Sequence, residues 1–301
     1  MKEINIKLLA LSMVPGIGRV SELHYIQNND VVHQTTDEIV ETIRKMAENN
    51  KTIQVPTIAK FKDLCKKSKD ILKTQEQQGI VVINYLDEIY PEKFKELHNP
   101  PILFFAKGNL DLLKGNRHVA VIGKRNPTNV GADFAKRVGR LLGYNGKIVV
   151  SGLAIGCDTY GHLGCLEGKG KTIAILPSPI TDVVPECNRE LADRIVQENG
   201  LLISEYYCGQ KVRKNFYIER DRLQAGLSDA IIVAETGETG GTWHAINTGI
   251  KLGRDIACYQ LPDEYFKAGH GGGNQKLISD EIAIPLESRS EIELYILTLL
   301  H

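Results

Sequence analysis

A glycine and two basic residues, Gly123, Lys124 and Arg125, directly follow a run of apolar residues that starts at Val119. A buried strand that ends in glycine and leads into a helix is the first part of a nucleotide-type α/β unit. Glycine lets the backbone approach a phosphate, and the helix N-terminus offers free N–H groups. The planar guanidinium of Arg125 also suits phosphate. The turn therefore predicts phosphate binding, although an ordinary strand-to-helix turn with a solvated arginine has the same pattern.

Other apolar runs also end in loops of small residues. Ser151 and Gly152 follow the run 147–151, and Gly240, Gly241 and Thr242 come soon after the run 229–235. Ligands of parallel sheets bind beyond the carboxyl ends of the strands. Because excess glycine weakens a structural element, packing alone does not explain so many glycines. The loops predict a phosphate-lined groove at one edge of a sheet.

The segment 210–226 mixes cations with aromatic rings. Its basic residues are Lys211, Arg213, Lys214, Arg220 and Arg222, and its rings are Phe216 and Tyr217. This mixture suits single-stranded nucleic acid, because cations follow the backbone while rings stack on bases. On a helix, Lys214, Tyr217 and Asp221 would share one face. In the alternative interpretation, Phe216 packs inward and the charges pair along the helix.

The strands that would position these residues form a regular series. Six apolar runs alternate with helical patterns, at 118–123, 147–151, 171–176, 200–205, 229–235 and 255–260. Shorter runs of strand type precede them at 80–83 and 102–105. Continuous apolar strands with intervening helices indicate a parallel sheet covered on both faces. The predicted fold class is therefore α/β.

Residues 1–78 instead have helical patterns. Segment 14–18 (VPGIG) is a tight turn that resembles a helix-hairpin-helix, whose turn amides can hold a DNA phosphate, although many helical pairs turn on glycine. Thr35 and Glu38 have the spacing of a capping box. We predict a small helical domain (helix-hairpin-helix or SAM-like) over 1–78, the α/β domain over 79–288, and a short C-terminal helix over 289–301.

Composition excludes several classes of protein. The formal net charge of the 301 residues is zero, so nucleic-acid binding requires a local patch. The six cysteines include no C-x-x-C pair, which argues against disulfides or structural zinc and fits a reducing cytoplasm. We find no apolar stretch long enough for a membrane span, no signal peptide, no P-loop, no metal-ligand spacing and no nucleophile motif. We expect a cytoplasmic protein without a metal or cofactor.

The order of these motifs resembles that of the DNA-processing protein A family (DprA, also called Smf), over roughly residues 80–287. VIGKR at 121–125 stands where the family has V-G-S-R, and SGLAIGCD at 151–158 with His162 matches S-G-L-A-x-G-I-D-x-x-A-H. YIERDRLQAGLS at 217–228 matches F-x-x-R-N-R-x-I-A-G-L-S. Shorter matches lie at 99–104, 172–176, 204–206 and 273–278. So many matches in one order are not chance.

The resemblance implies an extended Rossmann-like domain with helices on both faces, which binds single-stranded DNA without catalysis. It also implies a homodimer that hands DNA to a RecA-type recombinase during DNA uptake. Gly123 and Arg125 would hold phosphates, and a base would stack near Lys214 and Tyr217, because tyrosine keeps the stacking face of phenylalanine. Arg220 and Arg222 would lie near the groove or brace it through ion pairs. The predicted DNA-binding residues are Gly123, Lys124, Arg125, Ser151, Gly152, Lys211, Arg213, Lys214, Tyr217, Arg220, Arg222, Gly240, Gly241 and Thr242.

Three substitutions depart from the family pattern near the groove. Lys124 replaces serine and adds a positive charge, whereas Ile155 replaces a frequent arginine. Asp221 replaces asparagine and adds a negative charge beside the groove. The segment 240–242 (GGT) is closer to that of phosphoribohydrolases with the same fold, but the glutamate expected soon after it is missing.

An alternative function therefore stays open, that of a nucleotide-binding or nucleotide-hydrolysing protein. The segment 240–242 with Asp158, Glu205 and Glu235 would line its pocket, and His162 or His244 would act as acid or base. Zero net charge favours this alternative, whereas the basic and aromatic residues favour DNA. The sequence leaves open whether the pathway is DNA uptake or defence against foreign DNA.

Overall fold

The computed structural model describes residues 2–299, and the chain divides into two compact units. The first unit contains the described residues up to Tyr90 together with Leu97–Ala106. The second contains Pro91–Glu96 and the chain from Lys107 onward. The helices that we predicted over 1–78 thus lie in a unit that also contains strand residues. The boundaries at 78 and 288 remain predictions about where domains begin and end.

The first unit consists of four helices and a strand pair. The helices are α1 (Glu3–Ser12), α2 (Arg19–Asn28), α3 (Thr36–Asn49) and α4 (Ile58–Gln77). Strand β1 (Val81–Asn84) pairs antiparallel with β2 (Leu103–Gly108), of which the residues up to Ala106 belong to this unit. Large apolar side chains of this unit, among them Leu8, Tyr25, Ile43 and Phe61, are buried together.

Side chains of small polar residues fix where two of these helices begin. Thr35 and Glu38 form the predicted capping box at the start of α3, and Thr57 caps α4. The turn between α1 and α2 requires glycine, because Gly16 has a φ of +87°. A Cβ atom there would also stand 2.0 Å from the carbonyl oxygen of Thr52.

The second unit alternates strands and helices, as predicted. After a short helix α5 (Glu92–Lys95), its strands are β3 (His118–Ile122), β4 (Ile148–Ser151), β5 (Lys171–Leu176), β6 (Leu201–Ser204), β7 (Ala230–Val233), β8 (Asp255–Tyr259) and β9 (Ile284–Leu286). The helices are α6 (Asn129–Tyr144), α7 (Cys157–Glu167), α8 (Arg189–Gln197), α9 (Lys214–Leu227), α10 (Thr242–Lys251), α11 (Asp263–Lys267), α12 (Gly272–Ser279) and α13 (Arg289–Thr298). Helix α13 corresponds to the predicted C-terminal helix, whose residues 300 and 301 lie outside the described residues.

The seven strands of this unit are parallel, in the order β6-β5-β4-β3-β7-β8-β9. The chain runs from β3 through β4 and β5 to β6 on one side of the sheet. It then crosses back, and β7 lies on the other side of β3. Val119 of β3 therefore faces Val149 of β4 on one side and Ala230 of β7 on the other. The change of direction between β3 and β7 is a topological switch point, where α/β sheets bind ligands.

Helices cover both faces of this sheet. On one face, Val119 and Val121 pack with Phe134 and Val138 of α6. On the other face, Ala120 and Ile122 pack with Ala225 of α9 and Ile246 of α10. The predicted fold class, an extended Rossmann-like α/β fold with a preceding helical part, is confirmed. Over residues 2–299, no helix combines the length and the apolar character that a membrane span needs.

Candidate nucleic-acid interface

A pocket of about 460 Å³ lies at the switch point, beyond the carboxyl ends of β3 and β7. Three chain segments contribute most of its lining. They are the turn after β3 (Gly123, Lys124, Arg125), helix α9 (Tyr217, Arg220, Asp221, Gln224) and the start of α10 (Gly240, Gly241, Thr242). The structure thus brings together the glycine turn, the aromatic and basic helix and the Gly-Gly-Thr loop that the sequence singled out.

Arg125 and Tyr217 form the exposed side of this pocket. The Arg125 side chain is exposed, and its guanidinium carbon lies 5.1 Å from the centroid of the Tyr217 ring. This distance is within the range of a cation–π contact. Helix α10 begins beside them without a side-chain cap, and the positive end of its dipole lies at this side of the pocket. The N–H groups of Trp243 and His244 donate to the carbonyls of Gly240 and Gly241 within the first turn.

Lys124 lines the pocket and is paired with a buried carboxylate. Its Nζ lies 2.6 Å from Oε1 of Glu235, a carboxylate that is fully buried. The other oxygen of Glu235 accepts hydrogen bonds from the backbone N–H and the hydroxyl of Thr128, at 2.8 and 2.7 Å. We predicted that Lys124 adds charge for a phosphate. In the structure it also pairs with Glu235 and holds the turn, and its contact with a phosphate stays a prediction. Arg125 is the more exposed of the two basic residues in this turn.

Arg220 is buried at the floor of the pocket between two carboxylates. Its Nη1 lies 3.5 Å from Oδ2 of Asp158, and its Nε lies 3.2 Å from Oδ1 of Asp221. Gly152 makes room for this guanidinium, because a Cβ atom at Gly152 would stand 0.9 Å from Nη1. The backbone N–H of Gly152 also donates to Oδ2 of Asp158, at 3.1 Å. Gly152 therefore does not line the pocket itself, but it makes room for the Arg220 guanidinium that does.

Burial governs the ionisation of both carboxyls. It raises the pKa of Asp158, and it raises the pKa of Asp221 to about 6, although Arg220 acts in the opposite direction on each. Asp221 thus titrates close to neutral pH.

Arg222 and Phe216 do not line the pocket, and their contacts stabilise helix α9. Arg222 binds both carboxylate oxygens of Glu205, at 2.7 and 2.8 Å. The Phe216 ring is buried and stacks on Tyr206, with centroids 3.7 Å apart. Of the alternatives left open by the sequence, the structure shows the inward packing of Phe216. The ion pairs lie only partly along the helix, because Arg220 contacts both Asp221 and Asp158 of α7, and Arg222 pairs with Glu205 outside α9.

The other predicted residues do not line the pocket. Ser151 is buried, and its hydroxyl donates to the carbonyl of Val121 within the sheet. Lys211, Arg213 and Lys214 are exposed where the chain enters α9. They extend the basic surface of this segment outside the pocket.

The sequence analysis did not single out Gln224. It lies seven residues after Tyr217 and four after Arg220, on the helix face that lines the pocket. That spacing is the signal that would have found it.

The structure does not place His162 for acid–base chemistry in the pocket. His162 is buried, its Nδ1 lies 2.7 Å from the Thr172 hydroxyl, and burial lowers its pKa to about 3. In the described part of the chain, no group of three or more His, Cys, Asp or Glu residues could hold a metal ion.

The fold and the pocket define a class of protein, a Rossmann-like α/β protein with a pocket at its switch point. A sequence model of the family described as DNA recombination-mediator protein A matches residues 81–295. The chain belongs to this family of DNA-processing proteins, which confirms the resemblance drawn from its motifs.

Individual relatives agree with this assignment. The chain is 31% identical to the DNA processing protein DprA of Bacillus subtilis over 208 residues, which is 69% of each protein. It is 37% identical to the DprA of Streptococcus pneumoniae over 183 residues, 61% of this chain and 64% of that protein.

Two solved structures are similar in fold. The crystal structure of Streptococcus pneumoniae DprA superposes with a TM-score of 0.68 and 27% identity, over 92% of this chain and 97% of that one. The Helicobacter pylori DprA structure superposes with a TM-score of 0.65 and 26% identity, over 73% of this chain and 95% of that one. The latter work concerns the single-stranded DNA binding mode of the Helicobacter protein.

Proposed function

We propose that this protein binds single-stranded DNA at the carboxyl edge of its parallel sheet. Arg125, the backbone at Gly123 and the start of α10 bind phosphates, and the Tyr217 ring stacks on a base. The observation that carries the proposal is the Arg125–Tyr217 pair, which places an exposed guanidinium against an aromatic face at the mouth of the pocket. Sites for single strands combine cations for the backbone with rings for the bases.

The basic residues outside the pocket support a longer path for the strand. Lys211, Arg213 and Lys214 are exposed just before and at the first residue of α9, the helix that carries Tyr217. Because the net charge is zero, this local group of cations supplies the attraction for phosphate.

The rest of the proposal follows the family. Its description as a recombination mediator supports transfer of the bound strand to a RecA-type recombinase. We further propose that the protein acts as a homodimer in the cytoplasm and catalyses no reaction.

Fluorescence anisotropy with a labelled single strand at two salt concentrations tests DNA binding, with duplex DNA and mononucleotides as competitors. We expect tight binding that weakens with salt and that only single strands displace. Binding that duplex displaces equally well, or no binding, contradicts the proposal.

A second candidate is the binding of a free nucleotide in the same pocket. Its volume of about 460 Å³ falls in the range of small-molecule sites, and the Gly-Gly-Thr loop at the start of α10 suits a phosphate. Displacement of the labelled strand by a mononucleotide at micromolar concentration favours this candidate.

A further inference from the structure

A buried hydrogen-bond acceptor in the pocket has no partner within residues 2–299. Gln224 is only 3% exposed and lines the pocket. Its Nε2 donates to Oδ1 of Asp221 at 3.1 Å, whereas its side-chain carbonyl Oε1 is buried without a hydrogen bond. An unpaired buried polar atom destabilises the protein, and a ligand that donates a hydrogen bond to it would offset this cost.

The neighbouring carboxylate fixes the orientation of this amide. If the Gln224 side chain were flipped, its carbonyl oxygen would face the ionised Asp221, and two acceptors would repel each other. The amide nitrogen must therefore point to Asp221, and the carbonyl oxygen remains the group offered to a ligand.

Asp221 supplies a second acceptor beside the first. The contacts from Gln224 and Arg220 both use Oδ1. Oδ2 lies toward the start of α10, 3.9 Å from the position that a Cβ atom would take at Gly241. One wall of the pocket therefore carries two adjacent acceptors, while Arg125 and the α10 N-terminus lie where a phosphate would bind.

We propose that the Gln224 carbonyl and the Asp221 carboxylate recognise one base of the bound strand, and that they prefer a base with adjacent N–H donors. Guanine matches best, because its N1–H and N2 amino group are adjacent donors. Thymine matches worst, because its single N3–H lies between two carbonyl oxygens. This inference rests on the proposed function, since the base belongs to the single strand. The pocket volume admits one nucleotide, and an unpaired base enters such a pocket at little cost.

The preference depends on pH. Asp221 is faced by Arg220 on its own helix, Asp158 of α7, His244 of α10 and Arg125 of the turn after β3. Burial raises its pKa to about 6, so it accepts a proton as the pH falls below that value. A protonated Asp221 becomes a donor, and the advantage of guanine over thymine decreases.

Oligothymidylates that differ at one central base provide the test. Anisotropy at pH 7.5 compares the thymine strand with strands carrying one guanine or one hypoxanthine, which lacks the 2-amino group. We expect the guanine strand to bind about 5-fold more tightly than the thymine strand, with hypoxanthine between them. At pH 5 we expect this difference to shrink.

Gln224→Met keeps the side-chain volume and removes the acceptor. We expect it to bind guanine and thymine strands equally, with the salt dependence of the normal protein. Gln197→Met on α8, at an exposed position, is the matched control and should keep the preference. Asp221→Asn is the second variant, and it should lose the change between pH 7.5 and pH 5.

Two outcomes separate this inference from the proposed function. If the normal protein binds all three strands equally and still responds to salt, base recognition is overturned and single-strand binding stands. If it binds no strand, both base recognition and single-strand binding are contradicted. A guanine preference that persists in both Gln224→Met and Asp221→Asn also overturns the inference.

Discussion

The guanidinium carbon of Arg125 lies 5.1 Å from the centroid of the Tyr217 ring. Arg125 follows strand β3, whereas Tyr217 belongs to helix α9, so the fold alone brings them together. The contact restricts both side chains at the mouth of the pocket before any ligand arrives. A strand that binds there therefore meets a cation and a ring that are already oriented.

Removal of the ring tests stacking. We expect Tyr217→Ala to weaken single-strand binding by about 1–3 kcal/mol, because base–aromatic stacking contributes that much per base. Tyr217→Phe keeps the ring and should bind nearly as the normal protein does. Tyr144→Ala at the end of α6, where the side chain is 66% exposed, is the control in anisotropy measurements. Equal affinities for Tyr217→Ala and Tyr217→Phe would show that no base stacks there.

Removal of the exposed cations tests the phosphate contacts. We expect Arg125→Ala and Lys214→Ala each to weaken binding and to reduce the slope of log K against log salt by about 0.7, the value for one phosphate of a single strand. Arg140→Ala, an exposed arginine of α6, should change neither quantity. Slopes that stay unchanged in both variants would remove these residues from the interface.

The Lys124–Glu235 pair makes a prediction about stability. We expect Lys124→Met to lower the free energy of unfolding by about 3 kcal/mol, because it leaves the buried Glu235 carboxylate without its cation. Urea denaturation measures this value, and the double variant Lys124→Met/Glu235→Gln should recover part of the loss. A loss below about 0.5 kcal/mol in the single variant, the size usual for surface positions, would mean that the pair does not hold the turn.

The close approach of Arg220 to Gly152 makes a second prediction about stability. Gly152→Ala places a methyl group on Nη1 of Arg220 and must separate this guanidinium from Asp158. We expect a loss of about 3 kcal/mol in urea denaturation, as for other broken buried pairs. Gly18→Ala is the control, since nothing lies within 4 Å of a Cβ atom there. Similar losses in the two variants would show that Arg220 moves aside freely.

Much of the fold could be predicted because apolar runs and glycine turns are local signals. All six apolar runs from residue 118 onward became strands, and the parallel order then placed Gly123 and Gly240 at one edge. The capping box at Thr35 was equally local. These signals need only neighbours along the chain.

The partners of the charged residues could not be predicted in this way. Lys124 meets Glu235 only because β3 and β7 lie side by side, and Arg220 meets Asp158 only because α7 and α9 lie on the same pocket. In the sequence, Lys124 and Arg220 are cations like Arg125. Which of them remains exposed depends on contacts between residues far apart in the chain.

Asp221 allows a prediction in which pH and stability are linked. Because burial raises its pKa to about 6 in the folded protein, the folded state holds the Asp221 proton more tightly than the unfolded state does. The contribution of this group to stability is therefore full below pH 4 and is lost as the pH rises through about 6. Asp221→Asn cannot titrate, so relative to this variant the normal protein should lose stability between pH 4 and pH 7, by about 1–3 kcal/mol.

Urea denaturation of both proteins across this pH range measures the difference between their free energies of unfolding. The contributions of the other carboxyls cancel in this difference. Asp133→Asn, an exposed carboxyl of α6, is the control and should leave the pH profile unchanged. A constant difference between the normal protein and Asp221→Asn from pH 4 to pH 7 would mean that Asp221 titrates as an exposed carboxyl. The pH dependence proposed for base recognition would then have no source.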